Sequence, residues 1–331
     1  MEIRILFRMS SADLNLLGQL VLAQCDTLDG VADGIIFNTT ACRKRFDPTI
    51  MSTFQCPTST KTPTCLLPAQ ITAMQNVFAG PRDSQGNQLY SAWPHDVGIP
   101  DPKWMMWTIS ITLPGPIPLV AQNLTQGATS MMYLFSSPPN PALNIFMVPM
   151  DDMETMVSAA DSTYKQSAVN YMEATSTNLD TCKRNNGKII YYHGESDPVF
   201  SMYDTVNYYD SLTSRYGSGT AGFARLFLVP GMNHCSGGYH TLDSFDPLTA
   251  IVTWVETAMA PESMLAANSN ASQTATLLPL NRTRPLCPYP QYARYAGTGE
   301  IDSAASFTCV APSAEKAAAS YGDVEANGRG R

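Results

Sequence analysis

Charge is scarce in this chain, and what there is leans acidic. Only 15% of its 331 residues are charged, with 20 basic against 28 acidic side chains and a net charge of -8. That balance excludes nucleic acid or an anionic membrane as the main partner, since both call for clustered Lys and Arg. No apolar run reaches the roughly 20 residues of a membrane span. The best candidate is broken by Pro114, Pro116 and Pro118. The first ten residues set Arg4 and Arg8 around Ile5-Leu6-Phe7. They have no long apolar stretch and no small-residue cleavage site, so they do not read as a secretion signal. No two cysteines show the C-x-x-C spacing of a zinc or thioredoxin site. There is no G-x-S-x-G elbow, the strand–turn–helix segment that exposes a nucleophilic serine.

What is present points to a globular protein. At 44% hydrophobic the chain can bury a core, as one large domain or two ordinary ones. Eight cysteines occur, and 25/42, 56/65 and 287/309 are close in sequence, as suits disulfides in an oxidising compartment. Glycosylation sequons at Asn38, Asn123, Asn270 and Asn281 agree with that compartment. A secreted character without a secretion signal gives the expectation that the beginning of the protein is missing.

Residues 11–24 read as an amphipathic helix with Leu14, Leu17, Leu20 and Val21 on one side and Ser10 or Ser11 as cap. From 38 to 180 the chain is rich in Pro, Thr, Ser and Met. Helix patterns at Pro68–Phe78 and Asp151–Asn178 and a hairpin turn at Gly86-Asn87 are its clearest features. The texture changes near 183. Lys188 to His193 reads as a short buried strand, Ser201–Tyr216 as a helix stopped by Gly217, and Ala224–Val229 as a second strand. Asp246-Pro247 opens a helix with Ile251, Trp254, Val255 and Ala258 as its apolar side. Strand, helix, strand, helix with short loops predicts an α/β fold with a parallel sheet. The tail from 312 is Ala-, Glu- and Gly-rich, a composition of disorder.

In such sheets the functional loops follow the C-terminal strand ends. One is His193-Gly194-Glu195-Ser196-Asp197-Pro198; the next is Pro230-Gly231-Met232-Asn233-His234-Cys235. A carboxylate on one and a histidine on the next is the order of an acid and base that activate a serine hydroxyl. Alone, Asp197 reads as a turn residue before proline and His234 as a loop residue; together they point to chemistry. Ser236 in Cys235-Ser236-Gly237-Gly238 is set aside as nucleophile, being two residues from the base and not at a strand-to-helix elbow. The loop Cys25–Ile35 gathers Asp26, Asp29 and Asp33 with Gly30 and Gly34. Carboxylates with backbone carbonyls suit a hard cation such as Ca²⁺, although the spacing is not that of an EF-hand; a polar turn with Asp caps is the alternative. Trp93, Trp104 and Trp107 with Met105 and Met106 read as core packing before an aromatic pocket. His95 and His240 read as structural.

Three stretches together resemble the tannase/feruloyl esterase family of α/β-hydrolases: Val21 to Ile35 with its Cys25-Asp26 and Asp29-Gly30 pattern, Gly187 to Asp197, and Val229-Pro230-Gly231-Met232-x-His234-Cys235. The likeness covers about residues 14 to 310. It implies a C-terminal part of the hydrolase sheet, with a large inserted, disulfide-stapled, Ca-binding lid. The expected division is 1–23 as a hydrolase-domain remnant, 24–180 as lid, 181–311 as hydrolase domain and 312–331 as tail. The resemblance implies Asp197 and His234 as catalytic acid and base. It implies Ca²⁺ ligation by the side chains of Asp26, Asp29 and Asp33 and the carbonyls of Val31 and Ile35. It further implies disulfides Cys25–Cys42, Cys56–Cys65 and Cys287–Cys309.

The family's Cys-Ser nucleophile pair is absent, so Cys235 is expected to be an orphan thiol, and Cys182 has no evident partner. The resulting expectation is a secreted ester hydrolase of phenolic or aromatic acid esters, such as plant cell-wall esters, incomplete and inactive as this chain alone. The rival expectation is a non-catalytic, secreted Ca²⁺-binding protein derived from the hydrolase.

Overall fold

A computed structural model describes residues 9–109, 111–112, 118–119, 121–268, 278–279 and 281–312. The sequon at Asn270, the tail beyond 312 and Pro114 to Pro116 lie outside the described residues.

Helix α1 (Ser11–Cys25) begins with a capping box: the Ser10 hydroxyl accepts from the Asp13 N–H, and the Asp13 carboxylate accepts from the Ser10 N–H. Such a cap is worth about 1 kcal/mol. Leu14, Leu17 and Val21 are fully buried in a first core with Cys42, Phe46, Met51, Leu66, Met74, Phe78 and Trp104. The core is framed by α2 (Thr39–Arg45), α3 (Pro68–Ala79) and α4 (Pro102–Thr108). Thus α1 shares its core with residues 36–109, which lie within the stretch expected as lid, 24–180. Two of the anticipated disulfides, Cys25–Cys42 and Cys56–Cys65, staple this part. Beyond it lie the short antiparallel pair β1 (Ile111–Thr112) and β2 (Pro118–Leu119), then α5 (Gln122–Tyr133), α6 (Met150–Val157), α7 (Ala168–Met172) and α8 (Asp180–Arg184).

The helix read over Asp151–Asn178 is two short helices. The Asp161 carboxylate accepts from the N–H groups of Thr163 and Tyr164, an Asx turn that competes with the helical ladder, and Ser167 restarts it as N-cap of α7. The Gly86-Asn87 hairpin is a turn with one Arg82–Gln88 bridge, held by Asp83.

The second half is built on β3 (Ile189–Gly194) and β4 (Ala224–Val229), parallel with Ile189 opposite Ala224 and Gly194 opposite Val229. Between them runs α9 (Met202–Tyr216), capped by Ser201, burying Val206, Tyr209 and Leu212 against Phe223, Ala224 and Leu226. Against the expectation of a buried strand, β3 is only half-buried, with Tyr192 exposed, because among the described residues it pairs with β4 alone. In α10 (Pro247–Thr257) only Trp254 of the expected apolar side is buried; Val255, Leu248 and Val252 face outward.

Four further strands, with no clear pattern in the sequence, follow: β5 (Met264–Ala267) with β6 (Thr283–Leu286), and β7 (Tyr292–Tyr295) with β8 (Phe307–Val310), each pair antiparallel. The third expected disulfide, Cys287–Cys309, ties them. Their core includes Phe227 and Val229 of β4 and, from the far side of the chain, Ile35 and Phe37. That contact sets the Asp-rich loop against the sheet half. Among the described residues no helix is long and apolar enough to cross a membrane.

Candidate active site

β3 and β4 deliver their C-terminal loops side by side. The Glu195 N–H extends the ladder to the Val229 carbonyl, and the chain then turns, with the Asp197 N–H donating to the Gly194 carbonyl. One carboxylate oxygen of Asp197, Oδ1, accepts from the N–H groups of Val199 (2.7 Å) and Phe200 (3.0 Å). The other, Oδ2, lies 2.7 Å from Nδ1 of His234, on the loop after β4. Burial pushes the Asp197 carboxyl up, but hydrogen bonds from His193, Phe200 N–H, His234 and Val199 N–H outweigh it and hold the group below its ordinary value. An ionised carboxylate only accepts, so Nδ1 of His234 carries the proton and Nε2 keeps its lone pair. The His234 side chain is 43% exposed while Asp197 is buried, so Nε2 has access to a reactant. Phe200 packs edge-on against the imidazole at 5.5 Å.

Two elements of the site were not legible as such in the sequence. His193, at the end of β3, approaches the same Oδ2 of Asp197 at 3.4 Å; the spacing of four residues between them is the one local signal of that contact. Glu195 and Asp96 are both buried and their carboxyls are pushed upward, first by burial; for Glu195 the neighbouring Asp96 charge adds to it. The Thr39 hydroxyl donates to Glu195 at 2.5 Å, and Ser196 donates to Asp96. No local pattern joins Asp96 to a loop 100 residues away.

The remaining candidates divide. Trp93 touches the site, donating its Nε1–H to the Asp197 carbonyl at 3.2 Å, whereas Trp104 is core. His95 is structural: its ring stacks on Phe46 at 4.3 Å, and burial together with the Arg43 charge pushes it down to about 4. His240 is half-buried and also pushed down, first by burial. Ser236 is exposed in a loop, and no helix starts directly after it. Cys235 is a free, exposed thiol and Cys182 a free, half-buried one. Asn38 is buried, its Nδ2 donating to the Leu28 carbonyl and its Oδ1 capping α2, so this sequon is a structural element.

In the Asp-rich loop, Gly30 and Gly34 take positive φ (103° and 87°), which bends the chain so that carboxylates meet backbone donors. Asp26 accepts from Asp33 and Gly34 N–H, Asp29 from Val31 and Phe37 N–H, and Asp33 from Ile35 N–H. Asp29 is pushed up to about 7 by burial, with the charges of Asp33 and Asp26 adding to it. Asp29 is buried and Asp26 half-buried, and oxygen donors of this kind are what a hard cation takes. Arg284 and Arg282 face Asp33, and among the described residues no three His, Cys, Asp or Glu side chains converge as one metal shell.

With that geometry in view, the chain matches the "Tannase and feruloyl esterase" family over residues 7–310, and it belongs to that family. It is 40% identical over 326 residues to a mono(2-hydroxyethyl) terephthalate hydrolase of Piscinibacter sakaiensis, covering 92% of this chain and 52% of that protein. It is 28% identical over 291 residues to a probable feruloyl esterase of Arthroderma benhamiae, covering 87% and 50%. In fold it is similar to the crystal structure of feruloyl esterase B from Aspergillus oryzae, with a TM-score of 0.70 at 22% identity, covering 93% of this chain and 58% of that one. The chain therefore spans about half the length of the curated relatives it matches.

Proposed function

We propose that this member of an ester-hydrolase family supplies the acid/base arm of a serine hydrolase for esters of aromatic carboxylic acids. The observation that carries the reading is the 2.7 Å contact between Asp197 Oδ2 and His234 Nδ1 at adjacent parallel-strand ends. In that role His234 Nε2 takes the proton of a serine hydroxyl as the oxygen attacks the ester carbonyl. The resulting imidazolium then protonates the departing alcohol, leaving an acyl-enzyme that water cleaves by the same exchange. Asp197 holds the imidazole in the required tautomer and stabilises its charge. No nucleophile elbow lies in this chain, so the serine comes from outside these 331 residues and the chain alone is inactive. The aromatic acyl preference is supported by relatives named for feruloyl and terephthalate esters.

Ca²⁺ would be held by Asp26, Asp29 and Asp33 with the carbonyls of Val31 and Ile35, bracing the loop that packs on the sheet half. Secretion is supported by three disulfides.

The test is a chimera in which this chain follows the segment of the 40%-identical relative that it does not match. Turnover of methyl ferulate, methyl gallate or a terephthalate monoester, with none by the chain alone, is expected. A folded chimera that cleaves only aliphatic p-nitrophenyl esters contradicts the aromatic preference. The missing elbow also favours a second reading, a non-catalytic Ca²⁺-binding protein; a folded chimera inactive on every ester supports that one.

A further inference from the structure

The carboxylate of Asp197 has two histidines against it, His234 at 2.7 Å and His193 at 3.4 Å, and only one has been given a role. We propose that His193 is a positioning residue that shares Oδ2 of Asp197 with His234, fixing the carboxylate and tempering its pull on the His234 proton. The proposal rests on the acid/base reading of Asp197 and His234.

The geometry is specific. The His193 side chain is 12% exposed, and its Nε2 lies 3.4 Å from Asp197 Oδ2 and 3.1 Å from the Phe200 carbonyl. Its Nδ1 lies 2.7 Å from the Thr205 hydroxyl on α9. A carbonyl and an ionised carboxylate both only accept, so Nε2 must carry the proton and divide it between them. Nδ1 is then bare and accepts from Thr205. One ring thereby joins β3, the first turn of α9 and the Asp197–Phe200 loop. Near this corner Tyr90, whose hydroxyl accepts from the Ser201 N–H, feels the charges of both Asp204 and Asp197.

Two consequences follow for His234. The carboxylate plane is held by three neighbours besides His234: Val199 N–H, Phe200 N–H and His193. Because Oδ2 already receives a donor, it stabilises the His234 imidazolium less than an unshared carboxylate does. A base whose proton affinity is moderated in this way returns the proton to a leaving alcohol more readily. Removing His193 leaves the backbone donors to hold the carboxylate, and Oδ2 then acts on His234 alone.

The test uses the chain as it is, which has four histidines to assign. Imidazole ¹⁵N spectra report tautomers directly, and a pH titration gives the midpoint of each ring. His193 is expected as the Nε2–H tautomer. In His193→Leu the proton affinity of His234 is expected to rise about three-fold. In His193→Gln, whose amide supplies a donor near the Nε2 position, the His234 midpoint is expected to return close to wild type. A merely structural residue would lower thermal stability without moving that midpoint. An unchanged or lower His234 midpoint in a folded His193→Leu variant overturns the proposal. So does a wild-type His193 in the Nδ1–H form, a measurement that stands even if the leucine variant does not fold. These spectra need no turnover, so their outcome is separate from the chimera assay of the ester-hydrolase reading.

Discussion

The indole N–H of Trp93 donates to the main-chain oxygen of Asp197 at 3.2 Å, across 104 positions of sequence. Trp93 also packs on the core that contains α1 and α3. The candidate acid is thus braced from two sides, by its own strand-end turn and by the disulfide-stapled half.

Replacing that donor tests the brace. Trp93→Phe keeps an aromatic ring but leaves the Asp197 carbonyl without this partner. A loss of about 1 kcal/mol in urea unfolding is expected. Stability equal to wild type would show that the contact contributes nothing.

Asp197 itself predicts an acid limb. Its folded-state carboxyl is held below the ordinary value, despite burial, by donors that include both histidines. The stabilisation is therefore present above the unfolded value near 3.9 and is lost as pH falls through the folded value. Asp197→Asn presents an amide to groups that all donate, so it is expected to cost about 1–3 kcal/mol at pH 7. The difference from wild type should shrink below about pH 4. A melting-temperature series from pH 3 to 8 checks this, and a difference independent of pH would refute it.

Asp210 has the opposite sign. Burial, opposed by the hydroxyl of Tyr289, pushes its carboxyl up to about 6. Stability associated with it is complete below the unfolded value near 3.9 and is lost as pH rises through about 6. Asp210→Asn can still accept from Tyr289 and carries no charge. It is expected to stabilise the chain by about 1 kcal/mol at pH 8 and by little at pH 4. An asparagine variant less stable than wild type at pH 8 would show that the charge is tolerated.

Calcium bears on the Asp-rich loop. Added Ca²⁺ is expected to raise the melting temperature of EGTA-treated protein, following RT ln(1 + [L]/Kd). The double variant Asp26→Asn, Asp29→Asn should lose the response. No Ca²⁺-dependent shift in the wild-type chain removes the metal from the account.

Much of the site was readable locally. Ile189–Gly194 and Ala224–Val229 are apolar runs bounded by Gly and Pro, so their strands and the positions of Asp197 and His234 at their ends followed from pattern. The three disulfides that the family resemblance implied also formed. What stayed hidden depends on distant contacts. Asp96 meets Ser196 and Thr39 meets Glu195 only once the two halves pack. β6 contains Pro285 and β7 contains Arg294, which mask their strand pattern. The outward face of α10 shows the limit of amphipathic reading, since Leu248 and Val255 are apolar yet exposed.

The most direct measurement is kcat/KM of the chimera on an aromatic ester, with and without His234→Ala. The account predicts a fall of about 10⁴-fold in the variant, with folding unchanged by circular dichroism. Turnover equal to that of the unmodified chimera would contradict it.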